Sequence, residues 1–108
     1  MDYRKVTAIV RQEKLAAVER ALHQRGVPGI SVTKVKGYGD LANFYSSDWL
    51  VSHSRIEIFI RADQAEGVAE CIVNAATTGL AGDGLVAVLP VEKLYRVREG
   101  AASGEDAA

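Results

Sequence analysis

Cysteine is almost absent. Cys71 stands alone, so no disulfide forms within the chain and one copy cannot supply a Cys/Cys metal site. An excess of charge is absent too. Thirteen Lys and Arg oppose fourteen Asp and Glu in 108 residues, a formal charge of −1. That balance excludes bulk electrostatic attraction to nucleic acid or anionic membrane. No apolar run approaches the roughly 18 residues of a membrane span. Aromatic residues make up only 6%, with one tryptophan, Trp49. The start, Met-Asp-Tyr-Arg-Lys, leads straight into an alternating pattern, unlike a secretory leader. A cytoplasmic protein is expected. What is present is 48% hydrophobic and 25% charged residues, the balance of an ordinary globular domain, at a length that fits one domain. Charge is uneven along the chain. Residues 1–98 carry all thirteen basic residues and eleven acids, and residues 99–108 carry three acids and no base. This acidic tail is expected to be disordered.

Val6, Ala8 and Val10 alternate with Lys5, Thr7 and Ile9, a strand period over Tyr3–Val10. Over Glu13–Arg25, Leu15, Val18 and Leu22 make one apolar helical face, with Gly26 as the expected terminator and Pro28 just beyond. Ile30–Lys36 reads as a strand ended by Gly37-Tyr38-Gly39. Asp40–Ser54 has no period and reads as a loop of about 15 residues, a length that hints at function. In Arg55–Arg61, Ile56, Ile58 and Ile60 share one face of a strand. The next helix is expected to be capped by Asp63 with Glu66 in a capping-box variant, and to end at Gly79. Its apolar face is Ala65, Val68, Ala69, Ile72, Val73 and Ala76. Gly82-Asp83-Gly84 is a turn, Leu85–Val91 an apolar strand, and Leu94–Arg98 a short further element.

The order β-α-β, long loop, β-α-β predicts an α+β protein: a ferredoxin-like double βαβ with a four-stranded antiparallel sheet. Helices cover one face of such a sheet. The other would carry Thr7, Ile9, Thr33, Val35, Glu57 and Phe59, too apolar to stay wet, so oligomerisation through the open face is expected.

Catalysis finds little support. His23 lies on the polar side of the first helix, Cys71 sits mid-helix, and no nucleophile–base set is legible. An acylphosphatase-like enzyme would need an arginine in a tight N-terminal phosphate loop, and its candidate Asn43 lies in the long loop. RNA binding by an exposed sheet would need several aromatics, and only Phe59 is available. Anion binding is better supported. Gly37-Tyr38-Gly39 and Gly82-Asp83-Gly84 let backbone amides form nests. Arg96 and Arg98, if strand-like, point the same way and clamp a phosphate together. On spacing alone, the same residues also fit plain turns and a solvated pair.

The string Gly29-Ile30-Ser31-Val32-Thr33-Lys34-Val35-Lys36-Gly37-Tyr38-Gly39 resembles the strand that enters the T-loop of PII signalling proteins. Arg55-Ile56-Glu57-Ile58 resembles the strand that leaves it. Ala76-Thr77-Thr78-Gly79 with Gly82-Asp83-Gly84 is similar to the PII B-loop, and Val88–Glu92 with Arg96-Val97-Arg98 to the C-terminal segment. The resemblance runs from Tyr3 to Gly100. It implies one domain over residues 1–98, with a T-loop at 40–54 and a B-loop at 79–85. It implies a homotrimer with a nucleotide site in each cleft between copies, and no cofactor beyond that ligand. Ile9, Ser31, Glu57, Ile58 and Phe59 would meet the adenine and ribose. Gly37, Gly39, Gly82, Asp83, Gly84, Arg96 and Arg98 would meet the phosphates, the arginines reaching over from the neighbouring copy, and Tyr38 would belong to the same nucleotide site.

The chain departs from the nitrogen-sensing pattern. Leu85 stands where those members have a lysine after the second B-loop glycine. Leu41 replaces a glutamine, Asp40 an arginine, and His53 a lysine near the far end of the loop. This is similar to divergent members linked to carboxysome and bicarbonate genes or to metal efflux. The resemblance therefore implies a regulator, not an enzyme, that favours ADP or AMP over ATP. A second small anion such as bicarbonate would sit near Lys36, His53 and Arg55. A target protein, with a membrane transporter as one candidate, would be met through Phe44, Tyr45 and Trp49. The alternatives are a metal-responsive module using His53, and a standard nitrogen regulator binding ATP and 2-oxoglutarate.

Overall fold

The computed structural model describes residues 2–37 and 51–102. Strand β1 (Tyr3–Arg11) passes through a single 3-10 turn into helix α1 (Leu15–Arg25). Strands β2 (Ser31–Gly37) and β3 (Val51–Arg61) follow, then helix α2 (Ala62–Ala76) and strand β4 (Gly84–Val91). Two short strands, β5 (Tyr95–Arg96) and β6 (Ala101–Ala102), close the described chain. The sheet order is β2-β3-β1-β4, every neighbour antiparallel, with both helices on one face. This is the ferredoxin-like double βαβ.

The alternation in β1 and β3 buries Val6, Ala8, Val10, Ile56, Ile58 and Ile60 against Val18 and Leu22 of α1 and Ala65, Val68, Ile72 and Ala76 of α2. Two faces of matching period meet, and the core is the product. Gly26 ends α1 in the left-handed conformation, its N–H donating to the carbonyls of His23 and Leu22, while Val27 N–H donates to Leu22.

Several local expectations are corrected. Asp63 does not cap α2; the helix begins at Ala62 with Arg61 at the cap position, and the Ala62 N–H donates to the Asp2 carbonyl at 2.9 Å. The backbone just ahead of β1 thus takes up the first N–H of the helix. α2 stops at Ala76, so Gly79 belongs to the following loop and does not end the helix. β3 starts at Val51, ahead of Arg55, because Ser52, His53 and Ser54 pair with β2 while His53 and Ser54 also pair with β1. Two flanking ladders extend a strand whose polar residues show no period. Among the described residues of the tail, β6 pairs with β5 through a turn in which Glu99 and Gly100 donate to the Arg96 carbonyl; residues 103–108 lie outside the described residues.

Cross-strand rows on the face away from the helices run Lys5–Phe59–Leu89, then Ser31–Glu57–Thr7–Ala87, then Thr33–Arg55–Ile9–Leu85, then Val35–His53–Arg11. Phe59, Leu85 and Leu89 on this face are exposed by 51%, 47% and 41%. Each leaves unused roughly half of the ~1.5–3 kcal/mol that full burial of such a side chain is worth.

Candidate functional site

The chemistry-bearing residues gather at the two ends of that open face. At one end, the register sets Arg11 of β1 beside His53 of β3, and the segment 77–84 folds over both. The hub of this segment is Asp83. Its Oδ2 accepts the N–H groups of Thr78 (2.8 Å) and Gly79 (2.9 Å). Its Oδ1 accepts the Thr78 hydroxyl and the Arg11 Nε–H (2.9 Å). The Thr78 Oγ1 in turn accepts the Leu80 N–H at 3.2 Å. These donors, the Thr78 hydroxyl foremost, hold the Asp83 carboxyl well below the usual carboxylate range, against the opposing effect of burial. Arg11 Nη2 also donates to the Ala81 carbonyl at 2.6 Å, and His53 Nε2 donates to the Gly82 carbonyl at 3.1 Å. His53 is only 2% exposed.

Around the middle of the face, Lys5 Nζ lies 2.5 Å from Glu57 Oε2, and Arg55 Nε lies 3.8 Å from Glu57 Oε1. The Lys5 hydrogen bond, followed by the charges of Lys5 and Arg55, lowers the Glu57 pKa. Ile9 and Ser31 sit one row apart on the same face. Ile58 does not join them; its side chain is buried in the core on the helix side. Lys36 pairs with Ser52 and so belongs to the face opposite Arg55 and His53. Gly37 ends β2 opposite Val51. Tyr38, Gly39, Asp40, Leu41, Phe44, Tyr45 and Trp49 lie outside the described residues.

At the far end, Phe59 and residues Leu94–Glu99 line an open groove of about 790 Å³ that holds Arg96 and Arg98. Only Arg96 is in a strand. Arg98 lies in the turn, so the expected same-side strand alignment does not apply to the pair. From His53 to Phe59 is about 20 Å of strand at ~3.3 Å per residue. Within one copy, then, the glycine loop and the arginine groove stand at opposite ends of the sheet. Sequence reasoning missed Arg11, and it quoted Thr78 within a loop motif without giving it a contact. The available signal was an aspartate flanked by glycines, which has amides and hydroxyls within reach on its own loop. Among the described residues, no three His, Cys, Asp or Glu side chains gather to hold a metal ion. No helix there is long and apolar enough to cross a membrane.

The sequence profile of the family described as nitrogen regulatory protein P-II matches residues 3–101. The chain belongs to the PII family. A nitrogen regulatory protein P-II of Cereibacter sphaeroides is 38% identical over 112 aligned positions, covering 96% of this chain and 98% of the relative. Nitrogen regulatory protein GlnK2 of Haloferax mediterranei is 39% identical over 110 positions, covering 94% and 88%. The crystal structure of Arabidopsis thaliana PII bound to citrate superposes with a TM-score of 0.83 at 38% identity, over 99% of this chain and 92% of that one. PII proteins are regulators and not enzymes; they form homotrimers and bind adenine nucleotides and target proteins.

Proposed function

We propose that this chain is a cytoplasmic, trimeric PII signalling protein. It binds an adenine nucleotide in the cleft between neighbouring copies, ADP or AMP in preference to ATP, and passes the ligand state to a target protein through its T-loop. The observation that carries this reading is the separation of the B-loop from the Arg96/Arg98 groove along one sheet. Two copies packed by their open faces bring one copy's loop to the other's arginines, and that packing also covers Phe59, Leu85 and Leu89. Ile9, Ser31, Glu57 and Phe59 then line the cleft for adenine and ribose, with Ile58 contributing backbone only.

The preference for fewer phosphates rests on Leu85, an apolar side chain beside Ile9 where a lysine would bring a cation. One charge-assisted contact is worth about 1.5–3 kcal/mol, at least tenfold in affinity. A second small anion such as bicarbonate is proposed near Arg55; the Arabidopsis thaliana relative is bound to citrate, itself a carboxylate. Phe44, Tyr45 and Trp49 are proposed as partner anchors.

Light scattering is expected to give about three times the 11.6 kDa chain mass at micromolar concentration. A mass equal to one or two chains would overturn the assembly. Titration calorimetry with ATP, ADP and AMP, each with and without bicarbonate or 2-oxoglutarate, tests the ligand. In the same assay the double change Arg96→Ala/Arg98→Ala is expected to weaken ADP at least about tenfold in a protein that stays folded and trimeric. Unchanged affinity removes the arginines from the site. The names of the relatives favour a second reading, a standard nitrogen regulator. ATP bound more tightly than ADP, and strengthened by 2-oxoglutarate, would select it.

A further inference from the structure

Two side chains of the sheet lie beneath the B-loop, and both hold backbone carbonyls. Arg11 binds Ala81 O and His53 binds Gly82 O, from adjacent positions in the β1–β3 register. No peptide bond in the described chain is cis. In a trans peptide the N–H points opposite to the C=O of the same unit. Fixing the Ala81 carbonyl toward the sheet therefore turns the Gly82 N–H away from it. Fixing the Gly82 carbonyl does the same for the Asp83 N–H. Gly82 has φ +92°, which allows successive amides to converge on one side of the chain. Arg11 adds a second effect. With Thr78 and Gly79, it engages the Asp83 carboxylate within the protein, so the negative charge beside those amides is compensated.

We propose that Arg11 and His53 are positioning residues that orient the Gly82 and Asp83 amides outward as a two-donor phosphate seat. His53 has a further position of interest. It lies two residues beyond Val51, the first residue of β3, so its ring ties the exit of the T-loop to the B-loop. The proposal rests on the nucleotide reading above and specifies how the chain's own side chains shape that seat. It also gives His53 a role other than that of an anion or metal ligand.

The test compares His53→Gln, which keeps an N–H donor at similar reach, with His53→Leu, which keeps bulk and loses the donor. Two readouts are taken on the folded protein: ADP affinity by calorimetry and 15N order parameters of Gly82, Asp83 and Gly84. His53→Leu is expected to raise the ADP Kd about tenfold. Its order parameters should fall from rigid values near ~0.85 toward the flexible range below ~0.6. His53→Gln should stay within about threefold of the parent and keep the loop rigid. A purely space-filling histidine would give the opposite ranking. Parent-like affinity and rigidity in His53→Leu overturn the proposal, as does equal loss in both variants. If His53→Leu does not fold, Arg11→Gln is read by the same two measurements, with the same loss expected and parent-like behaviour overturning the proposal. If the parent binds no adenine nucleotide, the nucleotide reading fails, while the order parameters still decide whether the two side chains hold the loop.

Discussion

Gly84→Ala is expected to destabilise the fold by at least ~3 kcal/mol. A Cβ at this position would sit 1.7 Å from the Ile9 carbonyl oxygen and 2.8 Å from its carbon. Both are backbone atoms of the central strand, and neither swings aside as a side-chain tip does. Gly84 also has φ +106°, where an L-residue is strained by about 1–3 kcal/mol. Relief requires parting β4 from β1 at the Val10–Gly84 pair, which opens the ladder and the apolar layer under Val86. The combined cost is at least ~3 kcal/mol of the 5–15 kcal/mol that holds a typical domain together. A thermal melt followed by circular dichroism should show either no cooperative transition or a midpoint lowered by at least about 12 °C. Gly79→Ala is the control. It has φ +80° but nothing within 4 Å of the added carbon, so it bears the conformational strain alone and should melt well above Gly84→Ala. Equal midpoints for the two variants would refute the steric argument.

Asp83→Asn is expected to loosen the loop of residues 77–84 and destabilise the protein by about 2 kcal/mol. The magnitude is that of charge-assisted hydrogen bonds, discounted because the side chain keeps 24% of its exposure. Asparagine has the shape but one acceptor oxygen fewer, and its NH2 would face the N–H donors of Thr78 and Gly79 or that of Arg11. The effect has a pH signature. The folded carboxyl titrates below its unfolded value, so its stabilisation is complete above the unfolded carboxylate pKa near ~3.9 and is lost as pH falls through the folded value. The difference in stability between parent and Asp83→Asn should therefore be level from neutral pH down to about pH 4 and shrink below it. A difference that does not narrow in acid shows that the Asp83 carboxylate is not the stabilising species.

The fold was legible because β1 and β3 obey period two and the helices period 3.6 over long enough stretches for each apolar face to be unambiguous. The register was not. Ser52, His53 and Ser54 have no hydrophobic alternation, and only pairing with β2 and β1 makes them strand. The helix cap failed for a related reason: Asp63 carries the right local chemistry, yet the Asp2 carbonyl, distant in sequence, reaches the helix end. At the site, glycines and arginines announced themselves by type. Arg11 did not, since an arginine at a strand end reads as solvated until the fold lays residues 77–84 across it. His53 attracted attention as a ligand for ions because imidazole chemistry invites it, and the structure shows its ring holding the main chain of a loop.

The distance along the open face from residues 77–84 to Arg96 has a thermodynamic corollary. Under the proposed arrangement, a nucleotide that touches both ends is a rivet between two copies, so occupancy and association form one linked equilibrium. At a free concentration one hundred times Kd, each bound molecule favours the assembled ring by about 2.7 kcal/mol. Dilution loosens the ligand, and withdrawing the ligand loosens the ring. In that arrangement the same contacts would answer both to nucleotide and to the chain's own abundance.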